Sequence, residues 1–203
     1  MTAVKICGVT NVDDALMCVE AGADAIGFNF ATTSPRYIAP ELARTIVAQL
    51  PARVLSVGVF VDASYEELMA AQQHVGLSCL QLHGDEPPEL VQRCLPHAYK
   101  ALRVRDEGSI DAAARYPGEH LLLDAYVPGV HGGTGARFDW QLAARLSTSR
   151  KITLAGGLTP DNVADAVACV QPFCVDVASG VERSAGKKDA ARVRDFVARA
   201  KGR

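Results

Sequence analysis

The chain has 203 residues, of which 49% are hydrophobic and 22% are charged, and it carries a formal net charge of −2. This composition is typical of a globular domain with a sizeable core, and the near-balance of charge excludes a general nucleic-acid binder, which needs a basic excess. No apolar run approaches the ~20 residues of a membrane span and no signal-peptide core is visible, so we expect a cytoplasmic protein that binds neither nucleic acid nor membrane.

Short β-type runs alternate with amphipathic helix-type runs along the whole chain. The predicted strands are about 20 to 30 residues apart, the length of one compact βα unit. Eight such units without a linker predict an α/β fold, a single (β/α)8 barrel domain over residues 1–203. A doubly wound open sheet is the alternative, but no GxGxxG motif follows the first strand. The predicted strands end near Ile6, Phe28, Phe60, Leu82, Arg103, Asp124, Ala155 and Val177.

Most of these strands have one face with small or polar residues and one more apolar face, because side chains alternate in direction. We expect the more apolar face to pack against the helices and the other face to line the barrel interior. Barrel enzymes place their chemistry at the C-terminal ends of the strands, where these interior positions become polar. The expected interior pairs are Lys5 and Cys7, Gly27 and Asn29, Gly58 and Phe60, Gln81 and His83, Leu122 and Asp124, and Cys174 and Asp176.

Two side chains at predicted strand ends are suited to acid–base chemistry. Cys7 is either a core thiol or a thiolate base or nucleophile at the barrel mouth. Asp124 closes an apolar run and is costly to bury unpaired, so it is either solvated at the rim or part of a site. The long connection from Ala125 to Phe138 contains Gly132-Gly133-Thr134-Gly135 and is either a lid or a plain flexible loop.

Glycine-containing runs follow the seventh and eighth predicted strands. They read Leu154-Ala155-Gly156-Gly157-Leu158 and Asp176-Val177-Ala178-Ser179-Gly180-Val181-Glu182. Glycines at these two positions of a barrel let backbone N–H groups and a helix N-terminus approach a phosphate. Together the two runs predict a phosphorylated small-molecule ligand, although each alone is also compatible with a tight turn.

The cysteines indicate neither a disulfide framework nor a metal site. They are scattered, no two form a CxxC pair, and most lie in apolar segments, as reduced and buried thiols do. No Cys or His cluster has the spacing of zinc ligands, so we expect no bound metal. The six cysteines are Cys7, Cys18, Cys79, Cys94, Cys169 and Cys174.

Further short runs accompany these motifs along the chain. They are Lys5-Ile6-Cys7-Gly8, Gly22-Ala23-Asp24, Gly27-Phe28, Ser34-Pro35-Arg36 and Gln81-Leu82-His83-Gly84. In order, from residue 4 to about residue 182, the motifs resemble those of the phosphoribosylanthranilate isomerase family. One departure is Ala178, where the family usually carries Ser. A backbone contact to phosphate would survive this change, whereas a hydroxyl contact would be lost.

The resemblance implies an Amadori rearrangement in tryptophan biosynthesis that needs no cofactor or metal. N-(5'-phosphoribosyl)anthranilate would become 1-(2-carboxyphenylamino)-1-deoxyribulose 5-phosphate. Asp124 would be the general acid that protonates the ring oxygen, and Cys7 the general base that removes the proton from C2 of the sugar. Lys5 could lower the pKa of Cys7, or it could pair with Asp176 deeper in the barrel.

The resemblance also implies a contact between Arg36 and the anthranilate carboxylate, and it places Gln81 and His83 at the same mouth. His83 could instead be a hydrogen-bonded rim residue, and Arg36 a solvated loop residue. The predicted substrate-binding residues are Arg36, Gln81, His83, Gly133, Gly156, Gly157, Asp176, Ser179 and Gly180.

Three functions of other classes are alternatives on the same barrel. A metal-dependent sugar-phosphate epimerase needs His and Asp ligands at strand ends, and only His83 of the five histidines lies at one. A Schiff-base aldolase needs an active lysine, for which Lys5 or Lys100 could serve. A non-catalytic barrel would bind phosphate without turnover. The sequence leaves the oligomeric state open between a monomer and a homodimer.

Overall fold

The computed structural model describes residues 1–104, 107–124 and 140–203. Within these residues, eight parallel strands close into a barrel in their order along the chain, and helices lie between them. The strands are β1 (Ala3–Cys7), β2 (Ala25–Asn29), β3 (Leu55–Phe60), β4 (Cys79–Leu82), β5 (Ala98–Arg103), β6 (His120–Asp124), β7 (Lys151–Ala155) and β8 (Cys174–Val177). The helices are α1 (Val12–Glu20), α2 (Pro40–Val47), α3 (Tyr65–Val75), α4 (Pro88–Cys94), α5 (Glu107–Ala113), α6 (Trp140–Ser147), α7 (Val163–Val170) and α8 (Ala190–Ala200).

The barrel closes where the first strand meets the last. Lys5 of β1 is the register partner of Asp176 of β8 on one side and of Ala25 of β2 on the other. This topology confirms the predicted (β/α)8 barrel, and each strand ends within one residue of its predicted end. A short antiparallel hairpin, β9 (Glu182–Ser184) and β10 (Lys187–Lys188), lies between β8 and α8.

The described part of the barrel has two apolar layers. The larger one lies between strands and helices and contains the outward side chains of Ile6, Phe28 and Leu121. Burying an Ile, Leu or Phe side chain stabilises a protein by about 1.5–3 kcal/mol, so this layer makes a large favourable contribution to folding. The smaller layer lies inside the barrel, below the mouth. It consists of Ala25, Val57, Tyr99, Ala101, Leu122 and Ala155.

The predicted faces of the third strand are wrong. Val57 belongs to the inner layer and pairs with Gly27, whereas Gly58 and Phe60 face the helices. Pairing with the neighbouring strand decides which way the side chains of β3 point, because register partners in a parallel sheet point to the same side. Phe60 stacks on Phe30 with ring centroids 5.1 Å apart, and the missing side chain of Gly58 leaves room for both rings. The rule that the less apolar face lies inside gave the wrong faces for β3, because the lower barrel interior is itself apolar.

Candidate active site

Cys7 ends β1 at the C-terminal mouth of the barrel, and its side chain is half-buried. A Cβ atom added to Gly27 of β2 would lie 2.8 Å from Cys7 Sγ and 3.1 Å from Lys5 Cε. Only glycine therefore leaves room for the thiol and the Lys5 chain side by side. Gly8 follows with φ of +72°, and the stem of Arg36 lies where its Cβ atom would be. The predicted base is thus packed between two glycines.

A buried ion pair lies beside Cys7. Lys5 Nζ donates to Asp176 Oδ2 at 2.8 Å, and both side chains are buried. Burial disfavours the ammonium, but the Asp176 carboxylate outweighs it and raises the pKa of Lys5 well above its ordinary value. Burial also raises the pKa of the Cys7 thiol, and the Lys5 ammonium opposes that rise. Lys5 therefore pairs with Asp176, and it also limits the rise in the pKa of the Cys7 thiol, which stays above its ordinary value.

Asp176 has a second carboxylate oxygen with a different environment. Oδ1 is buried and has no hydrogen-bond partner in the part of the chain that the structure describes. A buried polar atom without a partner costs about 1–3 kcal/mol, so this oxygen is suited to accept a hydrogen bond from a molecule that enters the barrel.

Asp124 lies at one end of a chain of hydrogen-bonding groups that runs from the mouth into the barrel. His83 Nε2 is 3.3 Å from Asp124 Oδ2, and His83 Nδ1 is 3.0 Å from Gln81 Nε2. Tyr99 Oη donates to Gln81 Oε1 at 3.0 Å. Asp124 and His83 are 20% and 22% exposed, whereas Gln81 and Tyr99 are buried. The structure thus joins three predicted site residues and adds Tyr99, which sequence reasoning missed because no motif contains it.

Arg36, in the loop after β2, forms a bidentate pair with Glu182. Its Nε donates to Glu182 Oε1 at 2.9 Å, and its Nη2 donates to Oε2 at 2.7 Å. These bonds raise the pKa of Arg36. Although burial works in the opposite direction, Arg36 and Lys188 together lower the pKa of Glu182. Arg36 is therefore held in one orientation, and its Nη1 has no protein acceptor among the described residues.

Lys188 connects this pair to Cys7. Its buried ammonium donates to Glu182 Oε1 at 2.8 Å, to the backbone carbonyl of Cys7 and, at 3.4 Å, to that of Ala178. One cation therefore ties together the end of β1, the loop after β8 and the partner of Arg36. Sequence reasoning missed it, because a Lys187-Lys188 doublet has no motif and is typical of an exposed turn.

The two predicted phosphate loops pack against each other. Gly156 and Gly157 leave β7 with φ of +87° and +64°, conformations that favour glycine. Ser179 and Gly180 begin a short 3-10 turn after β8. A Cβ atom on Gly180 would lie 2.0 Å from the carbonyl oxygen of Leu158, so glycine is required there by contact between the loops. Gly133, with the rest of the run from 132 to 135, lies outside the described residues.

Both lysines considered for Schiff-base chemistry are paired. Lys5 is bound to Asp176, and Lys100 donates to Glu86 at 2.9 Å and to two backbone carbonyls. Across the described ranges, no group of three or more Cys, His, Asp or Glu side chains is placed to hold a metal ion. None of the helices in those ranges has the length and apolarity to span a bilayer.

Fold and mouth together define a (β/α)8-barrel enzyme with a thiol and a carboxyl group on separate strands. The family model described as N-(5'-phosphoribosyl)anthranilate (PRA) isomerase matches residues 4–199. The chain belongs to this family, and it is an isomerase of tryptophan biosynthesis.

Full-length relatives and solved structures agree with the family match. The N-(5'-phosphoribosyl)anthranilate isomerase of Geobacter sp. (strain M21) is 53% identical over 201 residues, which cover 99% of this chain and 98% of that protein. The crystal structure of the phosphoribosyl anthranilate isomerase from Thermotoga maritima has a TM-score of 0.92 at 44% identity, with 100% of both chains covered. A phosphoribosyl anthranilate isomerase crystallised with reduced 1-(o-carboxyphenylamino)-1-deoxyribulose 5-phosphate has a TM-score of 0.91 at 43% identity, again with 100% of both chains covered.

Proposed function

We propose that this chain converts N-(5'-phosphoribosyl)anthranilate into 1-(2-carboxyphenylamino)-1-deoxyribulose 5-phosphate by acid–base catalysis, without a cofactor. The observation that carries the proposal is the arrangement of the mouth. Cys7 and Asp124 end β1 and β6, and between these strands lie β7 and β8 with the two glycine loops. A phosphate held by those loops would place the sugar within reach of both groups.

In the proposed reaction, the carboxylic acid of Asp124 gives its proton to the furanose ring oxygen. The C1–O bond breaks, and the nitrogen lone pair forms a protonated Schiff base. The Cys7 thiolate then removes the proton from C2, the electrons of the C2–H bond form the C1=C2 bond of an enolamine, and the C1=N electron pair returns to nitrogen. Proton transfer from the C2 hydroxyl group to C1 completes the ketose. The Lys5 ammonium supports this role of Cys7, because it opposes the rise in thiol pKa that burial causes.

The remaining groups would bind the two ends of the substrate and its sugar. The backbone after β7 and β8, with Ser179, would bind the phosphate. The Nη1 side of Arg36 would receive the anthranilate carboxylate, because Glu182 occupies the other side of the guanidinium. Asp176 Oδ1 would accept a hydrogen bond from a sugar hydroxyl group, which satisfies a buried oxygen.

We also propose that residues 1–203 act as one domain in the cytoplasm. Pairing of β1 with β8, together with packing of α8 on α1, joins the two ends of the chain in one unit. All six cysteines are free thiols, the state that a reducing compartment favours.

The experiment is a fluorescence assay with N-(5'-phosphoribosyl)anthranilate as the substrate. We expect purified protein to abolish the anthranilate-type fluorescence, and Cys7→Ser and Asp124→Asn to do so far more slowly while remaining folded. Unchanged fluorescence with the parent protein would refute the proposal. Full activity of either variant would remove that residue from the mechanism.

A further inference from the structure

The hydrogen-bonding chain behind Asp124 fixes which nitrogen of His83 carries a proton. Burial raises the pKa of Tyr99 well above its ordinary value, so its hydroxyl group keeps the proton that it donates. It donates to Gln81 Oε1, and this turns the amide nitrogen of Gln81 towards His83 Nδ1 at 3.0 Å. Because an amide nitrogen only donates, Nδ1 must accept and the ring proton must be on Nε2.

Nε2 is the ring nitrogen that faces Asp124, 3.3 Å from Oδ2. A neutral imidazole in this tautomer offers Asp124 one N–H donor without adding a positive charge. Imidazolium would instead require Gln81 to reverse its amide, because Nδ1–H and the amide nitrogen would then both be donors. The chain of hydrogen bonds from Tyr99 through Gln81 to His83 is called the relay below. It therefore selects a neutral donor for the carboxyl group of Asp124.

This selection suits a general acid. The N–H donor can stabilise the carboxylate that remains after Asp124 has given up its proton, and it can hold the other oxygen towards the substrate.

We infer that Gln81 and Tyr99 are positioning residues, which hold His83 as the neutral Nε2–H tautomer and thereby set the hydrogen bond that Asp124 receives. The inference rests on the proposed function for its catalytic part, whereas the tautomer can be measured on the enzyme alone. Gln81 is 1% exposed and Tyr99 is 3% exposed. Apolar side chains would fill this inner layer without the cost of burying an amide and a phenol, so the polar pair needs a reason beyond packing.

Other charged groups near His83 lie on the neighbouring strands and their loops. Glu86 is bound by Lys100 and by the backbone N–H of Gly84, and Asp62 accepts from the backbone N–H of Asp85. Arg103 is the register partner of Asp124 at the end of β5. These groups stay constant in the comparison below, because each substitution is confined to Tyr99, Gln81 or His83, or to an exposed position of α3.

The test is 15N NMR of histidine-labelled enzyme without substrate, combined with kcat and KM of the same samples. The signal of His83 is assigned by its loss in His83→Asn. In the parent we expect a protonated Nε2 and an unprotonated Nδ1. In Gln81→Glu the new carboxylate requires a donor, so we expect a protonated Nδ1 and a kcat lower by about 10- to 100-fold, with a small change in KM.

Two further variants and a control keep the test decisive if the buried carboxylate of Gln81→Glu prevents folding. Gln81→Met keeps the length of the side chain but removes the donor, and Tyr99→Phe removes the hydroxyl that orients the amide; both should give a mixture of tautomers and a lower kcat. Gln73→Glu adds the same charge on the exposed face of α3 and should change neither measurement.

Two results would overturn the inference. One is a parent enzyme whose His83 carries its proton on Nδ1. The other is a Gln81→Met variant with the tautomer and the kcat of the parent. If the parent enzyme shows the expected tautomer but does not convert phosphoribosylanthranilate, the proposed function is refuted and the catalytic role of the relay with it. If it converts the substrate but shows the other tautomer, only the relay is refuted.

Discussion

Gly27 provides a test of the position of the proposed base, because Cys7 occupies the space that a side chain at position 27 would need. In Gly27→Ala the new Cβ atom would lie 2.8 Å from Cys7 Sγ. To reach an ordinary contact of about 3.5–4 Å, the sulfur must move by roughly 0.7–1.2 Å. A displacement of about 1 Å at a reacting group costs on the order of 100-fold in rate, so we expect kcat to fall by that factor.

The same substitution overpacks the barrel interior, which typically costs about 1–3 kcal/mol in the free energy of unfolding. Gly58→Ala is the matched control, since its Cβ atom would lie 2.6 Å from the Phe60 ring on the helix side of β3. Both variants should lose comparable stability in urea unfolding, but only Gly27→Ala should lose kcat in the fluorescence assay. Equal kcat values for the two variants would show that the position of Cys7 does not matter to the reaction.

The other predictions concern the reacting groups, the binding residues and stability. Cys7→Ser and Asp124→Asn should each lower kcat by ~10²–10⁴-fold in steady-state assays, and a near-parent rate would exclude that residue as acid or base. Arg36→Met should lower kcat/KM by roughly 10–150-fold, mostly through KM, because a hydrogen bond to a charged group is worth ~1.5–3 kcal/mol; an equal loss with the aniline analogue of the substrate would contradict the carboxylate contact. Gly180→Ala should separate the two glycine loops and weaken protection by inorganic phosphate against thermal unfolding, whereas unchanged protection would place the phosphate elsewhere. Burial lowers the pKa of His120 to about 4, so the folded protein keeps this ring neutral at pH values where the unfolded chain protonates it. The ring leaves the free energy of unfolding unchanged above about pH 6.5 and lowers it by up to about 3 kcal/mol as pH falls towards 4; urea unfolding of His120→Asn should show a weaker pH dependence, and a slope equal to that of the parent would refute this.

The strand ends were predictable because the signals for them are local. An apolar run such as Leu121 to Leu123, closed by Asp124, identifies both a buried strand and its exposed end without knowledge of its neighbours. The direction of side chains within β3 was not predictable in the same way. It depends on which residue pairs with Gly27 across the sheet, and polarity gave the wrong answer at Val57.

The same difference between local and long-range signals holds for the candidate site. The positions of Cys7 and Asp124 at strand ends, and the glycines after β7 and β8, follow from short motifs. The partners of these residues come from distant parts of the chain. Glu182 lies 146 residues beyond Arg36, and Lys188 lies 181 residues beyond Cys7, so only the closed barrel brings them together.

Gly180 also has a packing contact that its motif did not indicate. The sequence predicts a glycine that lets phosphate approach the backbone, and the structure adds that the Leu158 carbonyl fills the position of its Cβ atom. A motif predicts that a side chain must be absent, but only the packed structure shows which atom takes its place.

The most direct test of the proposed chemistry is to identify the product by NMR after the fluorescence of N-(5'-phosphoribosyl)anthranilate has changed. We expect the parent enzyme to yield the ketose 1-(2-carboxyphenylamino)-1-deoxyribulose 5-phosphate as the sole product, with the carbon–nitrogen bond intact. Release of anthranilate and ribose 5-phosphate, or recovery of unchanged substrate, would contradict an acid–base isomerisation at the mouth of this barrel.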